Sequence, residues 1–322
     1  MKRYIVGVLA LVVLFVTVFS GASVAEAKKI SVVTTIFPIY DWVRAIAGDA
    51  GNVEITLLLD SGVDLHSYQP TARDIMKVAA CDVFAYVGGE SDTWVEGALA
   101  EAVNPDMAVI NLMEALGDAV KEEEIVEGME AEEEEEEEGE EEAEYDEHVW
   151  LSLRNARKLV NALADALGKA DPANAGVYAA NAGAYAEKLA ALDAEYAAAR
   201  EGADFDTLLF GDRFPFRYLA DDYDLNYYAA FVGCSAESEA SFETIVFLAG
   251  KVDELGLKTV LTIEGDNHRI AETIVENTQA RDAKVLTMDS MQATTGEDVK
   301  NGVTYLGVME ANLDVLRQAL KK

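Results

Sequence analysis

The stretch ISVVTTIFPIYDWVRAIAGDAGNVEITLLL, residues 30–59, decides the architecture of this chain. Ile30 to Thr35 is rich in β-branched side chains and reads as a buried strand. Ile39 to Ala47 follows with Trp42, Val43 and Ile46 on one side, the spacing of an amphipathic helix. Val53 to Leu59 then reads as a second strand. Working outward, Thr71 is placed as an N-cap with Asp74 at the capping-box position, which opens a helix through Met76, Val78 and Ala79. Asp82 to Val87 is a third strand ended by Gly88-Gly89, Ser91 to Ala100 is helical, and Ala108 to Leu112 is a fourth strand. This β-α-β-α rhythm predicts a parallel sheet with helices on both faces.

The middle changes character. Ser152 caps a helix with Leu153, Ala156, Leu159, Val160, Leu163 and Leu167 on its apolar face. After Asp171-Pro172, residues 173–200 carry a helical pattern through Tyr178, Tyr185, Leu189, Leu192 and Tyr196. At 1.5 Å per residue that helix spans about 40 Å, long enough for a rigid spine between two lobes. Alternation then returns, with strands at 207–210, 226–231, 259–263 and 284–288. Helices are expected at 214–222, 243–255 and 268–277, and a last one over 299–320. The expected fold is therefore α/β, with two parallel-sheet lobes joined by a long rigid spine helix. The boundaries are an export leader over 1–27, a first lobe over 28–151 with an acidic loop at 121–147, linking helices over 152–202, and a second lobe over 203–322. Ligands in such folds bind outside the carboxyl ends of the strands. His66, Asp212, Glu264 and Asp289 all follow predicted strands, which points to one shared site in the cleft between the lobes.

Composition narrows the function. The formal charge is −35, which argues against nucleic acid and anionic lipid as partners. Eighteen of the residues from Glu122 to Glu147 are acidic, and the rest of the chain still carries about −17. Such a run reads as a solvated loop without fixed structure, and deleting Glu122 to Glu144 is expected to leave a high-affinity site intact. Lys2 and Arg3 precede an apolar run from Tyr4 to Phe19, and Ala25-Glu26-Ala27 offers a small-x-small cleavage site, the pattern of an export signal. No cysteine lies near that site, so the expected location is the periplasm or the outer face of the membrane without a lipid anchor. The two cysteines, Cys81 and Cys234, fall in different halves and read as buried free thiols rather than a bridge.

Only three histidines occur. His66 lies in Asp64-Leu65-His66-Ser67-Tyr68-Gln69-Pro70-Thr71, and His148 in Asp146-Glu147-His148-Val149-Trp150-Leu151, after the most acidic stretch. Imidazole is the commonest protein ligand for borderline metals, so scarce loop histidines point to a metal ion.

These motifs, together with Thr34-Thr35-Ile36-Phe37-Pro38-Ile39-Tyr40, Asn155, the long middle helix and Leu286-Thr287-Met288-Asp289-Ser290-Met291, resemble the cluster A-I solute-binding proteins of ABC transporters. That family captures zinc or manganese outside the cell, and the resemblance covers essentially all of the chain after the leader. It implies that His66 and His148 are first-lobe ligands and that Asp289 is an acidic ligand from the second lobe. It further implies a metal ion handed to a cognate membrane permease, with the protein acting as a monomer. One departure stands out. Where the family usually places a third ligand, His or Glu, the alignment of Phe216-Arg217-Tyr218-Leu219 puts Arg213, a side chain that stays protonated and cannot ligate a cation. The expected set is therefore His66, His148 and Asp289, then Glu264 and His268, with Arg213 paired to Glu264 or Asp289. Imidazole donors favour Zn2+ over Ca2+ or Mg2+ and leave Mn2+ and Fe2+ open.

Competing readings are a zinc hydrolase, an adhesin on the same fold, and a binder of an organic solute. A hydrolase is disfavoured because the chain has no His-Glu-x-x-His helix and no nucleophile motif, and no phosphate-binding Gly-x-x-x-x-Gly-Lys segment is present either.

Overall fold

The computed structural model describes residues 28–130, 144–235, 239–265 and 267–322. The leader and the centre of the acidic segment lie outside the described residues. Strands β1 (Ile30–Thr34), β2 (Val53–Leu57), β3 (Val83–Tyr86) and β4 (Ala108–Asn111) form one sheet in the order β2-β1-β3-β4. Every pairing is parallel, with Ile30 opposite Val53, Val32 opposite Val83 and Val83 opposite Ala108. Helices α1 (Phe37–Ala47), α2 (Ala72–Ala80), α3 (Trp94–Ala100) and α4 (Leu112–Leu116) connect or follow these strands. Thr71 caps α2 with a complete capping box to Asp74, and Ser152 caps α5 (Leu153–Ala170), as their spacing predicts.

The second sheet repeats the pattern. Strands β5 (Thr207–Phe214), β6 (Asn226–Val232), β7 (Thr259–Thr262) and β8 (Lys284–Thr287) run parallel in the order β6-β5-β7-β8. Helices α7 (Arg217–Asp222), α8 (Phe242–Leu255) and α9 (Arg269–Asn277) belong to this lobe. In each sheet the strand order reverses beside the first strand of the lobe, and the crevice at the carboxyl ends there is where such sheets bind ligands. β5 is longer than its apolar run suggested. It continues through a register shift between Phe210 and Arg213, so Asp212 and Arg213 lie inside the strand rather than after it.

The spine is α6 (Ala175–Glu201), of 27 residues. Asn181 Nδ2 donates to the Ile46 carbonyl of the first lobe, and Tyr196 Oη donates to the Met309 carbonyl of the second. One hydrophobic core runs through both lobes and the spine, from Trp42 and Phe84 through Leu163 and Tyr196 to Leu261 and Tyr305. A second cluster around Leu209, Phe231, Leu248 and Val260 belongs to the second lobe alone. The single last helix expected over 299–320 is two helices, α10 (Gly296–Lys300) and α11 (Tyr305–Ala319). Gly302 at φ 95° breaks the run, and Thr304 caps the second piece through Gly307 N–H. Tyr305 then reaches the first lobe, where its N–H donates to Asp41 Oδ2 and its hydroxyl to the Trp150 carbonyl. No helix among the described residues is long and apolar enough to cross a membrane.

The acidic segment is not free at its ends. Glu122 bridges Tyr145, and Glu130 bridges Phe231 of β6. Asp146 N–H donates to the Lys121 carbonyl at 2.9 Å. The expectation of a solvated loop over all of 121–147 is therefore corrected for both stems, whose backbone groups pair with each other and with the sheet edge.

Candidate metal centre

His66 sits on a 3-10 turn, Leu65–Ser67, after β2. Asp64 caps the turn by accepting from His66 N–H at 3.0 Å. His148 is fully buried and begins another 3-10 turn, with Asp146 Oδ1 accepting its backbone N–H at 2.8 Å and lying 3.0 Å from its Nδ1. A carboxylate only accepts, so the Nδ1 proton faces Asp146 and the Nε2 lone pair is left to face the cleft. His66 Nδ1 lies 2.8 Å from Ser91 Oγ, and Glu147 Oε2 is 3.6 Å away. Both rings are thus fixed through Nδ1, the arrangement that outer partners impose on metal-binding histidines. Their Nε2 atoms stand 3.2 Å apart. Two imidazoles on one tetrahedral zinc at ordinary bond lengths have nitrogens about 3.3 Å apart.

The electrostatics agree with this geometry. Burial, then the neighbouring His148, push the His66 pKa down to about 4. Burial, the largest single influence, would lower His148 too, but Asp146, Glu147 and Gln292 act together against it and the net shift is upward. The pair is poised to hold one cationic centre between its Nε2 atoms. Glu147 Oε2 and Glu123 Oε1 are buried without a hydrogen-bond partner among the described residues, and burial raises the pKa of both carboxyls, so a cation nearby would stabilise their charged forms.

Cys234, read from the sequence as a buried free thiol, is free and half-buried. His66, His148 and Cys234 each place one donor atom within 4.8 Å of the others, the one such cluster of three metal-binding side chains among the described residues. The cysteine lies in the turn after β6, and Gly233 before it packs against His148. A Cβ on Gly233 would stand 2.9 Å from His148 Cε1. The only sequence signal for Cys234 was its rarity. Nothing local in Gly233-Cys234-Ser235 marks a ligand, because the partners come from the other lobe.

Asp289, Glu264 and His268 do not join this cluster. Glu264 is occupied in folding the next loop. It accepts from Ser290 N–H at 2.6 Å, Ser290 Oγ at 2.7 Å and Gln292 N–H at 2.9 Å. Asp289 Oδ1 accepts from Met291 N–H, and burial, then the charge on Glu264, raise its pKa to about 7. Met291 takes a left-handed φ of 64° in this loop, a conformation that such locked contacts sustain. What the loop delivers to the histidines is Gln292, whose Oε1 lies 3.2 Å from His148 Nε2. His268 instead lies 3.3 Å from Thr262 Oγ1, which donates to Asp212 Oδ2. Asp212 therefore ties β5 to β7.

Arg213 pairs with neither Glu264 nor Asp289. Its Nη2 donates to Asp64 Oδ2 at 2.8 Å and its Nη1 to the Ser235 carbonyl at 3.2 Å. One guanidinium so joins the turn bearing His66 to the turn bearing Cys234. Trp150 Nε1 adds another link between the lobes by donating to the Ser290 carbonyl at 2.9 Å.

The comparisons with known proteins agree with this architecture. The family model described as zinc-uptake complex component A, periplasmic (ZnuA), matches residues 32–319. The zinc-binding lipoprotein AdcA of Streptococcus pneumoniae is 33% identical over 99% of this chain, which spans 61% of AdcA's length. The high-affinity zinc uptake system protein ZnuA of Bacillus subtilis is 30% identical over 93% of this chain and 90% of its own. The crystal structure of the Zn(II)-bound ZnuA-like domain of S. pneumoniae AdcA aligns with a TM-score of 0.70 and 29% identity, covering 91% of this chain and 99% of that domain. With two parallel-sheet lobes on a helical spine and a family match over nearly all the described residues, the chain belongs to the ZnuA family, the periplasmic component A of zinc-uptake complexes.

Proposed function

We propose that this protein captures a transition metal ion, Zn2+, in the cleft between its lobes and delivers it to an ABC-type membrane permease. The observation that carries the reading is the pair of histidines, one buried and one nearly so, whose Nε2 atoms converge to 3.2 Å while both Nδ1 atoms are held by outer partners. Their names tie AdcA and ZnuA of the comparison to zinc, in agreement with the donor set here. His66 and His148 are the first-lobe ligands. Asp146, Ser91 and Glu147 orient them, and Glu264 shapes the loop that brings Gln292 to the site. A continuous core across lobes and spine permits only a modest closing motion, so the ion is taken into a largely preformed site.

The test is metal content by mass spectrometry after mild chelation and reloading from a mixture of zinc, manganese and iron. Wild type is expected to retain one equivalent of zinc, and the double variant His66→Ala/His148→Ala none. Equal retention in both proteins would remove the basis of the proposal.

A further inference from the structure

Cys234 lies beside the two histidines, and Gly233 and Arg213 hold it there. The turn after β6 is built to carry this side chain to the histidines. Gly233 lets the backbone lie against the His148 ring, where a Cβ would stand 2.9 Å from Cε1 and 3.0 Å from the Phe214 carbonyl. Arg213 pins the following residue by donating to the Ser235 carbonyl, and its other arm reaches Asp64, which caps the His66 turn. The same side chain thereby fixes the relative placement of His66 and Cys234. The result is the cluster of His66, His148 and Cys234 with donor atoms within 4.8 Å of one another. On one tetrahedral zinc, a thiolate sulfur and an imidazole nitrogen stand about 3.6 Å apart, so small side-chain adjustments complete the shell.

We propose that the Cys234 thiolate is the second-lobe ligand of the captured ion and sets its selectivity, making a two-histidine, one-thiolate site for thiophilic metals. This rests on the metal-capture reading above and adds to it the residue that chooses the metal. As the metal–sulfur bond forms, the Sγ proton leaves to solvent, and no oxidant or reductant takes part. Thiolate donors favour zinc and the softer ions, whereas manganese prefers oxygen. Arg213 is the positioning residue that keeps the thiolate-bearing turn against the His66 turn. The rival role for Cys234 is structural, as a thiol beside the buried Glu123 carboxylate.

Three measurements on the full chain separate these roles. X-ray absorption of the zinc-loaded wild type is expected to show one sulfur scatterer at about 2.3 Å beside nitrogen at 2.0–2.1 Å. Cobalt-loaded wild type is expected to show a thiolate-to-metal charge-transfer band in the near ultraviolet, absent from Cys234→Ser. In competition titrations Cys234→Ser is expected to lose zinc affinity by at least about 100-fold, the upper range for losing an outer partner of a ligand, with manganese affinity little changed. Cys234→Ala, checked by circular dichroism, repeats the comparison without a hydroxyl that coordinates weakly. Zinc bound by wild type and lost in His66→Ala, but with no sulfur scatterer and unchanged selectivity in Cys234→Ser, would overturn the thiolate and leave metal capture standing. No metal uptake by wild type would overturn both.

Discussion

Gly233→Ala adds a single methyl group and removes no polar atom, yet it should weaken the metal centre. Gly233 does not adopt a left-handed φ, so alanine meets no backbone strain there, and the effect comes only from contact. The new Cβ would lie 2.9 Å from His148 Cε1 and 3.1 Å from Nδ1. Carbon atoms settle at about 3.5–4.0 Å, so the ring must retreat by roughly half an ångström or more. The ring cannot do this freely. Asp146 holds Nδ1 at 3.0 Å, and the Trp150 ring lies 5.2 Å away between centroids. Displacement therefore reaches Nε2, the atom that faces His66. Metal–ligand distances tolerate about 0.2 Å, so a shift of this size is expected to cost about 10–100-fold in zinc affinity. The overpacking itself should cost about 1–3 kcal/mol of stability, which leaves the protein folded. Competition against a chromophoric chelator reads the affinity, and urea unfolding reads the stability. A folded Gly233→Ala protein with wild-type zinc affinity would refute the placement of His148 against this turn, and with it the route by which Cys234 reaches the site.

Other perturbations test separate parts of the argument. Asp146→Ala should weaken zinc binding by about 10–100-fold, and Asp146→Asn by less, because the amide oxygen still accepts both N–H groups of His148. Equal affinity in all three proteins would show that His148 is not oriented through Nδ1. A double-mutant cycle of Asp64→Asn with Arg213→Met should return a coupling of about 1–3 kcal/mol in urea unfolding, since the pair is charge-assisted and mostly shielded from solvent. A coupling near zero would remove Arg213 as the link between the two turns. Asp92 is buried, its Oδ2 accepts from Val87 and Gly88 N–H, and burial raises its pKa to about 7. Between the unfolded value near 4 and about pH 7 the unfolded chain releases this proton while the folded one keeps it. Its contribution to stability is therefore complete below about pH 4 and is lost as the pH rises to 7, by about 1.4 kcal/mol per unit at most. Asp92→Asn should remove that slope, and a wild-type-minus-variant difference that stays flat with pH would show the carboxyl is not held protonated. Deleting residues 131–143 should leave zinc affinity unchanged, whereas extending the deletion to 122–144 should lower it by removing Glu123 and the docked stems. Identical affinity in the two deletions would show that the stems do not support the site.

The fold was legible wherever local pattern and local chemistry coincide. The run from Ile30 to Leu59, the Thr71–Asp74 capping box and the Ser152 cap are decided within a few residues, and the structure places them where the spacing predicts. The misplaced features depend on contacts between distant segments. β5 runs on through Asp212 because Thr262 of the neighbouring strand and Ile263 just after it bind that carboxylate, which no periodicity in 207–214 records. The last helix splits at Gly302 because Tyr305 is drawn to Asp41, 264 residues away. The same limit governs the site. His66 and His148 stand out because histidine is scarce and their segments carry local turns with Asp caps. Glu264 and Asp289 follow strands as ligands would, but their carboxylates are used by the 289–292 loop. Cys234 reads as inert until Gly233, Arg213 and the opposite lobe are in place.

The pairing of the arginines decides between a metal ion and an organic anion. A binder of an organic anion needs an unspent cation facing the cleft, and the two arginines to consider are Arg213 and Arg217. Both guanidinium groups are engaged: Arg213 with Asp64 at 2.8 Å, and Arg217 with Glu124 at 2.6 Å. With Arg213 neutralised, the groups around the two Nε2 atoms are Asp146, Glu147 and Glu123, and burial raises the pKa of the last two. Glu147 Oε2 and Glu123 Oε1 are buried oxygens with no hydrogen bond of their own among the described residues, and such oxygens are stabilised by positive charge or a proton. An anion entering this cleft would add to their repulsion, whereas a dication offsets it and meets converging nitrogen and sulfur donors. An arginine at position 213 thus does not make the cleft an anion site. The guanidinium is consumed in joining the lobes, and the field left at the histidines is that of a cation site.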